Sequence, residues 1–218
     1  MQIFQQNKHL PVVLLIITLA GCSSIYEYYG YGRLAPSKRT DGIAPTPVTL
    51  PSNAASISQR FRPAEFVDSA GAHNGIDLFV PVGTPVIAAA SGNVSRVQLS
   101  ILYGNQVFID HGKDAQGRYL QTRYFHLDEP SVTENQSVLR GDQIGWSGLS
   151  GIAGGFPHLH FEVHEIKYGS DQQHRVLDPQ IHWVNGIGVV TCFNINQTWP
   201  ETPTLFTYPA PCKGVSWQ

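Results

Sequence analysis

His158-Leu159-His160-Phe161-Glu162-Val163-His164 alternates polar and apolar side chains without a break. Residues two apart on a β-strand share a face. Leu159, Phe161 and Val163 therefore read as a face packed on a core, and His158, His160, Glu162 and His164 as a polar face turned to a cleft. Glu165 stands where the next apolar residue belongs, so the strand is expected to end about there. The same spacing lets the rings of His158 and His160 converge on one ion. Upstream, His73-Asn74-Gly75-Ile76-Asp77 supplies another imidazole and a carboxylate. Asn74-Gly75 is turn chemistry and works against a helix, but a turn leading into a strand can aim His73 and Asp77 inward together. These ligand types suit a borderline-soft cation such as zinc, and three protein ligands leave a fourth position for water, which is a catalytic arrangement.

A third element lies between the two, Thr122-Arg123-Tyr124-Phe125-His126-Leu127, an aromatic stretch expected to break at Asp128-Glu129-Pro130. Taken with Tyr124-Phe125-His126-Leu127 and Pro157-His158-Leu159-His160-Phe161-Glu162-Val163, the His73 to Asp77 motif resembles the LytM/lysostaphin-type zinc metallopeptidases, the M23 class of peptidoglycan endopeptidases. The likeness continues through Asp77 to Val86, Ser91 to Val94, Tyr103-Gly104-Asn105 and Arg140 to Gly145, and spans roughly residues 71 to 164. In one place the chain departs from the pattern. Gly154-Gly155-Phe156-Pro157-His158 carries one residue more than the family's Gly-Pro-His, and that residue brings a phenyl ring beside the site.

The resemblance implies that His73, Asp77 and His160 bind Zn2+ and that His126 and His158 are catalytic histidines. Amide hydrolysis needs a proton taken from water and one given to the leaving amine, which suits two imidazoles, and spacing leaves open which is the base. Glu162 is read as supporting a ligand, since the resemblance gives proton transfer to histidines. His111, His164, His174 and His182 lack comparable company and are read as hydrogen-bonded or surface residues. Gly148, Gly151, Gly154 and Gly155 read either as a surface loop or as a side-chain-poor wall that an extended peptide can approach.

The chain has 218 residues and a formal net charge of −2, so it lacks the basic excess with which to neutralise phosphates, and nucleic acid is not an expected partner. Sparse charge with frequent glycine and proline favours short strands and turns over long helices. Strands are expected at Gly75 to Val80, Thr84 to Ala89, Asn93 to Leu99, Gln106 to Asp110, Tyr119 to His126, Asp142 to Gly145, His158 to His164 and Ile187 to Phe193. The fold class that follows is mainly β, an antiparallel sandwich or barrel-like sheet of the LytM/lysostaphin type with an extended N-terminal tether.

Residues 1–21 read as a signal peptide, because the apolar stretch Leu10 to Ala20 is too short to span a bilayer. Leu19-Ala20-Gly21-Cys22 resembles a bacterial lipobox, which implies a lipid on Cys22 and, with Ser23 and Ser24 following, attachment to the outer membrane facing the periplasm. Residues 22–60, with interleaved tyrosines and then prolines, read as a flexible tether. Residues 61–180 are expected to be the peptidase domain and 181–218 a C-terminal extension, a loop pinned by a Cys192–Cys212 disulfide in an oxidising compartment. The function expected is zinc-dependent hydrolysis of peptide bonds in peptidoglycan cross-bridges or stem peptides. The alternatives are a noncatalytic module that binds and activates another wall hydrolase, or a latent enzyme with the tether over its cleft and a regulatory partner.

Overall fold

In the computed structural model, which describes residues 47–62, 71–114, 117–152, 155–167 and 173–218, the strand read at His158 lies at the centre of an antiparallel sheet. The described strands are β1 (Ile57–Gln59), β2 (Ile76–Leu78), β3 (Pro85–Ile87), β4 (Gly92–Ser100), β5 (Gly104–Lys113), β6 (Tyr119–Pro130), β7 (Ser137–Val138), β8 (Gln143–Ser147), β9 (Leu159–Lys167) and β10 (Gln173–Leu177). Their main order is β1-β2-β9-β6-β5-β4-β7, with β10 on β9 and with β8 joining β3 to β6. One edge of β9 pairs with β6, while the other is shared by β2 at Leu159 to Phe161 and β10 at Val163 to Lys167.

Register separates core from site. Ile76, Phe161 and Tyr124 are cross-strand partners in one row, fully buried, while Asp77, His160 and Phe125 form the next row on the opposite face. A slip of one residue would exchange the two rows, so burial of the apolar row fixes where Asp77 points. The core face of β9 is closed by the C-terminal segment. Trp183 stacks on Phe161 at 6.4 Å, and Tyr208 meets Trp183 edge-on at 5.8 Å. Truncation of a buried aromatic of this kind costs about 3–5 kcal/mol.

Several boundaries differ from those read in the sequence. Strand β9 runs past Glu165 to Lys167, because β10 pairs with it and Arg175 reaches Glu165 at 3.2 Å. Likewise β6 continues through Asp128-Glu129-Pro130, since β8 takes over the edge that β9 leaves. No strand forms at Ile187 to Phe193. Gly186 and Gly188 adopt positive φ there, and Val189 makes only a single parallel bridge to Thr49. Residues 47–60, expected to end a flexible tether, are part of the fold: Val48, Leu50, Ala54, Ala55 and Ile57 pack on the core, and β1 pairs with β2. The C-terminal extension is more than a loop. Trp183, Val190, Phe206 and Tyr208 belong to the core, the Cys192–Cys212 disulfide is formed, and Arg140 donates to the carbonyls of Ala89 (2.6 Å), Leu205 (2.8 Å) and Pro200 (3.1 Å). The expected signal peptide, Cys22 and the tyrosines of the expected tether lie outside the described residues.

His111 lies on β5, its Nδ1 2.9 Å from the Ser91 carbonyl and its Nε2 2.8 Å from the Thr122 hydroxyl. Burial pushes its pKa down to about 4, against the opposing pull of the Ser91 carbonyl. In the unfolded chain the ring titrates near ~6.5. Between ~6.5 and about 4 the unfolded state binds a proton that the folded state refuses, so this stability is complete above ~6.5 and lost as pH falls through the folded pKa. A His111→Gln variant has no such titration. Wild type should lose stability relative to it as pH falls from ~7 toward about 4 in urea unfolding; a difference constant with pH would contradict a ring held neutral.

Candidate metal centre

Asp77 on β2 and His160 on β9 are direct cross-strand partners, which puts the carboxylate Oδ1 2.7 Å from His160 Nδ1. His73 arrives from the turn before β2, with Nε2 3.2 Å from Asp77 Oδ1 and 3.1 Å from His160 Nδ1. The turn depends on Gly75. A Cβ there would stand 2.2 Å from the Phe161 carbonyl oxygen, so any side chain would push β2 off β9. His158 shares the face of His160, two residues earlier, and its Nε2 lies 3.8 Å from Asp77 Oδ1.

His126 reaches the same place by a different route. Strict alternation would turn it to the core side with Tyr124. Between Asn105 and Val107, however, β5 offers one residue where β6 has two, Phe125 and His126, and this bulge is accommodated by a φ of 60° at His126. A non-glycine residue in that region costs on the order of 1–3 kcal/mol and persists only where its surroundings hold it. The consequence is that consecutive residues face one site: Phe125 lies 5.3 Å and His126 6.2 Å from the His160 ring, and His126 lies 4.8 Å from that of His158.

The outer nitrogen of every histidine in the group faces an oxygen. His73 Nδ1 is 2.8 Å from the Arg60 carbonyl, His126 Nδ1 2.9 Å from that of Ser150 and His158 Nδ1 3.1 Å from that of Phe156. A carbonyl only accepts, so these ring nitrogens donate and the inward Nε2 of each neutral ring carries the lone pair. His160 is turned the other way. Its Nε2 donates to Glu162 Oε1 at 3.1 Å, leaving Nδ1 inward, and Glu162 Oε2 is in turn 2.6 Å from His164 Nε2.

Electrostatics follow from this packing. Burial alone would raise the Asp77 pKa, but His73 and His160 override it and hold the carboxyl far below the usual range. Burial would lower His160, but hydrogen bonds to Asp77 and Glu162 raise it to about 9. Burial would raise Glu162, but His160 and His164 hold it at about 2. His126 is pushed down to about 4 by burial, with the Ser150 carbonyl pulling the other way, so its ring is neutral at pH 7. The coordinating atoms of His73, Asp77 and His160 all lie within 4.8 Å of one another, buried or nearly so, and the outer N–H groups are committed elsewhere. Three converging donors with one negative charge fit a divalent cation.

The structure thus brings together all five residues singled out in the sequence, His73, Asp77, His126, His158 and His160. The polar face of β9 does not open to a cleft along its length, since Glu162 and His164 are buried behind His160. His164, read in the sequence as a residue without company, belongs to that network. The alternation had placed it on the face of His160, and that was the available signal. The supporting carbonyls of Arg60, Ser150 and Phe156 carried no signal at all. His111 and His182 are hydrogen-bonded as expected, His182 through Nδ1 to the Thr204 carbonyl at 3.0 Å. The extra phenyl ring of Phe156 stands 5.3 Å from that of His158.

A mainly β domain with this cluster of His and Asp side chains defines a metallopeptidase-like class. The model of peptidase family M23 matches residues 71–179, and the chain belongs to that family. Among curated relatives, the peptidoglycan DD-endopeptidase ShyA of Vibrio cholerae is 42% identical over 91 residues, which is 42% of this chain and 20% of the relative. Lysostaphin of Staphylococcus simulans is 36% identical over 93 residues, covering 42% of this chain and 18% of that protein. The solution structure of lysostaphin superposes with a TM-score of 0.50 at 27% identity, over 68% of this chain and 57% of that one. The chain therefore spans only about a fifth of the length of these curated relatives.

If His73, Asp77 and His160 are the ligands, His160→Ala should lose most of the bound zinc and His126→Ala should keep it. Glu162→Gln, which weakens the hold on the outer nitrogen of His160, should lower zinc affinity about 10–100-fold. Elemental analysis and competition with a chelating dye check both, and equal zinc in the two alanine variants would overturn the ligand assignment.

Proposed function

We propose that the protein is a zinc endopeptidase that hydrolyses peptide bonds in the cross-bridges or stem peptides of peptidoglycan. The observation that carries this reading is the convergence of three imidazole nitrogens, of His73, His160 and His158, on the Asp77 carboxylate, with the His126 ring beside that of His158. His73, Asp77 and His160 would hold the ion. Bound there, zinc would polarise the scissile carbonyl and activate water for attack on it.

The remaining chemistry belongs to the chain. Asp77 supplies one negative charge against two neutral imidazoles, so the centre keeps a net positive charge when loaded. His126 and His158 stand side by side, each with its outer nitrogen tied to a carbonyl and Nε2 turned inward. A neutral ring held this way can accept a proton at Nε2 and return it to the leaving amine, and its N–H form can steady negative charge on the carbonyl oxygen. The similarity to the peptidoglycan DD-endopeptidase ShyA supports the substrate class. For location, the Leu19-Ala20-Gly21-Cys22 sequence supports attachment through a lipid on Cys22 to the outer membrane, with the domain in the periplasm. Cys22→Ser should then fail to incorporate labelled fatty acid, and a labelled variant would exclude that anchor.

The decisive experiment is incubation with defined cross-linked peptidoglycan, with and without chelator, reading the fragments by mass. Wild type should cut and the chelated protein should not. His126→Ala and His158→Ala should keep much of their zinc but lose about 10² to 10⁴ in turnover, with kcat falling more than KM changes. A zinc-loaded wild type that cuts no wall substrate, yet stimulates another hydrolase as well as both variants do, would replace this reading with that of a noncatalytic activating module.

A further inference from the structure

We infer that Asn105 and Ser150 are positioning residues for His126, holding its strained backbone and its ring in the orientation that the proposed hydrolysis requires; this rests on the reading of His126 as a proton carrier. The φ of 60° at His126 is not stabilised by glycine, so neighbouring groups must hold it. Its own N–H donates to the Tyr103 carbonyl at 3.0 Å, and its Nδ1–H to the Ser150 carbonyl at 2.9 Å. The peptide that follows is held as firmly. The Leu127 carbonyl accepts from Ser150 Oγ at 2.5 Å and from Asn105 Nδ2 at 3.2 Å, and the Asp128 carbonyl accepts from Asn105 Nδ2 at 2.7 Å.

The two residues also lock to each other, the Asn105 N–H donating to Ser150 Oγ at 2.9 Å. Gly104 is what lets Ser150 in. It has a φ of 65°, and a Cβ there would lie 2.2 Å from Ser150 Oγ. The Tyr103-Gly104-Asn105 motif, which has no side chain among the proposed ligands, thereby acquires a role: one carbonyl, one gap and one amide around the bulge. The chemistry is selective as well. Two carbonyls converge on the Asn105 amide, which can donate to both, whereas an aspartate of the same shape would present acceptors to acceptors. None of these hydrogen bonds involves His73, Asp77 or His160, so the brace is separable from the metal set.

The test uses the full chain, with ¹⁵N-labelled histidine, in wild type and in Asn105→Ala, Asn105→Asp and Ser150→Ala. Ring ¹⁵N shifts should report His126 as the Nδ1–H tautomer in wild type and as a mixture in the variants. Zinc content should be unchanged, and kcat should fall about 10–100-fold with KM within about twofold, as a displaced catalytic group demands. In a His126→Ala background, Asn105→Ala should cost nothing further. Wild-type ring shifts in Asn105→Asp and Ser150→Ala, or a loss of kcat that persists without His126, would overturn the inference. Should the wild type cleave no substrate, the functional reading fails and the ring shifts alone decide whether the brace exists.

Discussion

The Asp77 carboxylate, buried between the imidazoles of His73 and His160, is the constraint on which the rest of the site depends. A carboxylate withdrawn from water is stable only if charge and hydrogen bonds replace its hydration. Here one oxygen faces three ring nitrogens, two of them within hydrogen-bonding distance and that of His158 at 3.8 Å. The geometry follows from strand pairing. Because Asp77 and His160 are register partners, the apolar row that buries Ile76 and Phe161 also brings the carboxylate to the ring. Core packing and site assembly are thus two faces of one register.

Outside that register lies a layer of acceptors that fixes the direction of each ring. Three backbone carbonyls and Glu162 take the outer N–H groups, and Glu162 is itself held by His164. Support of this kind fixes the tautomer and orientation of a ligating or proton-carrying histidine. It also accounts for a run of buried polar side chains on β9 that would otherwise oppose folding. His126 adds a place where local preference and fold disagree. Its positive φ and the bulge at Phe125 and His126 disturb the ladder between β5 and β6 at the candidate site, where such conflicts are expected to gather.

The segments flanking the family-matched region are part of the same construction. Residues 47–60 lie along β2 and give the Arg60 carbonyl that turns His73, while the C-terminal segment covers the core face of β9 with Trp183 and Tyr208. The two segments also hold each other, through the Thr49 to Val189 bridge and hydrogen bonds from Tyr208 to Ala55 and from Lys213 to Asn53. Both ends of the described fold therefore steady the strands that carry the candidate ligands.

The sequence by itself determined which side chains can do the chemistry. The alternation from His158 to His164, the turn at Asn74-Gly75 and the family resemblance carried by three histidine-bearing motifs were enough to name the antiparallel β class and the five candidate residues that the fold brings together, because side-chain identity and strand period are local properties. It also marked the pair Cys192 and Cys212. Tertiary structure decided what no residue letter encodes. The Arg60, Ser150 and Phe156 carbonyls that orient the rings belong to every kind of residue alike, so nothing in the sequence marks their use. The bulge that turns His126 from the core side to the site depends on how many residues β5 opposes to β6, a count that exists only once the strands pair. Residues 47–60 and the C-terminal segment became parts of the core for the same reason: Val48, Ile57, Trp183 and Tyr208 are separated too widely in sequence to form a pattern, and meet only where β2 and β9 bring them together.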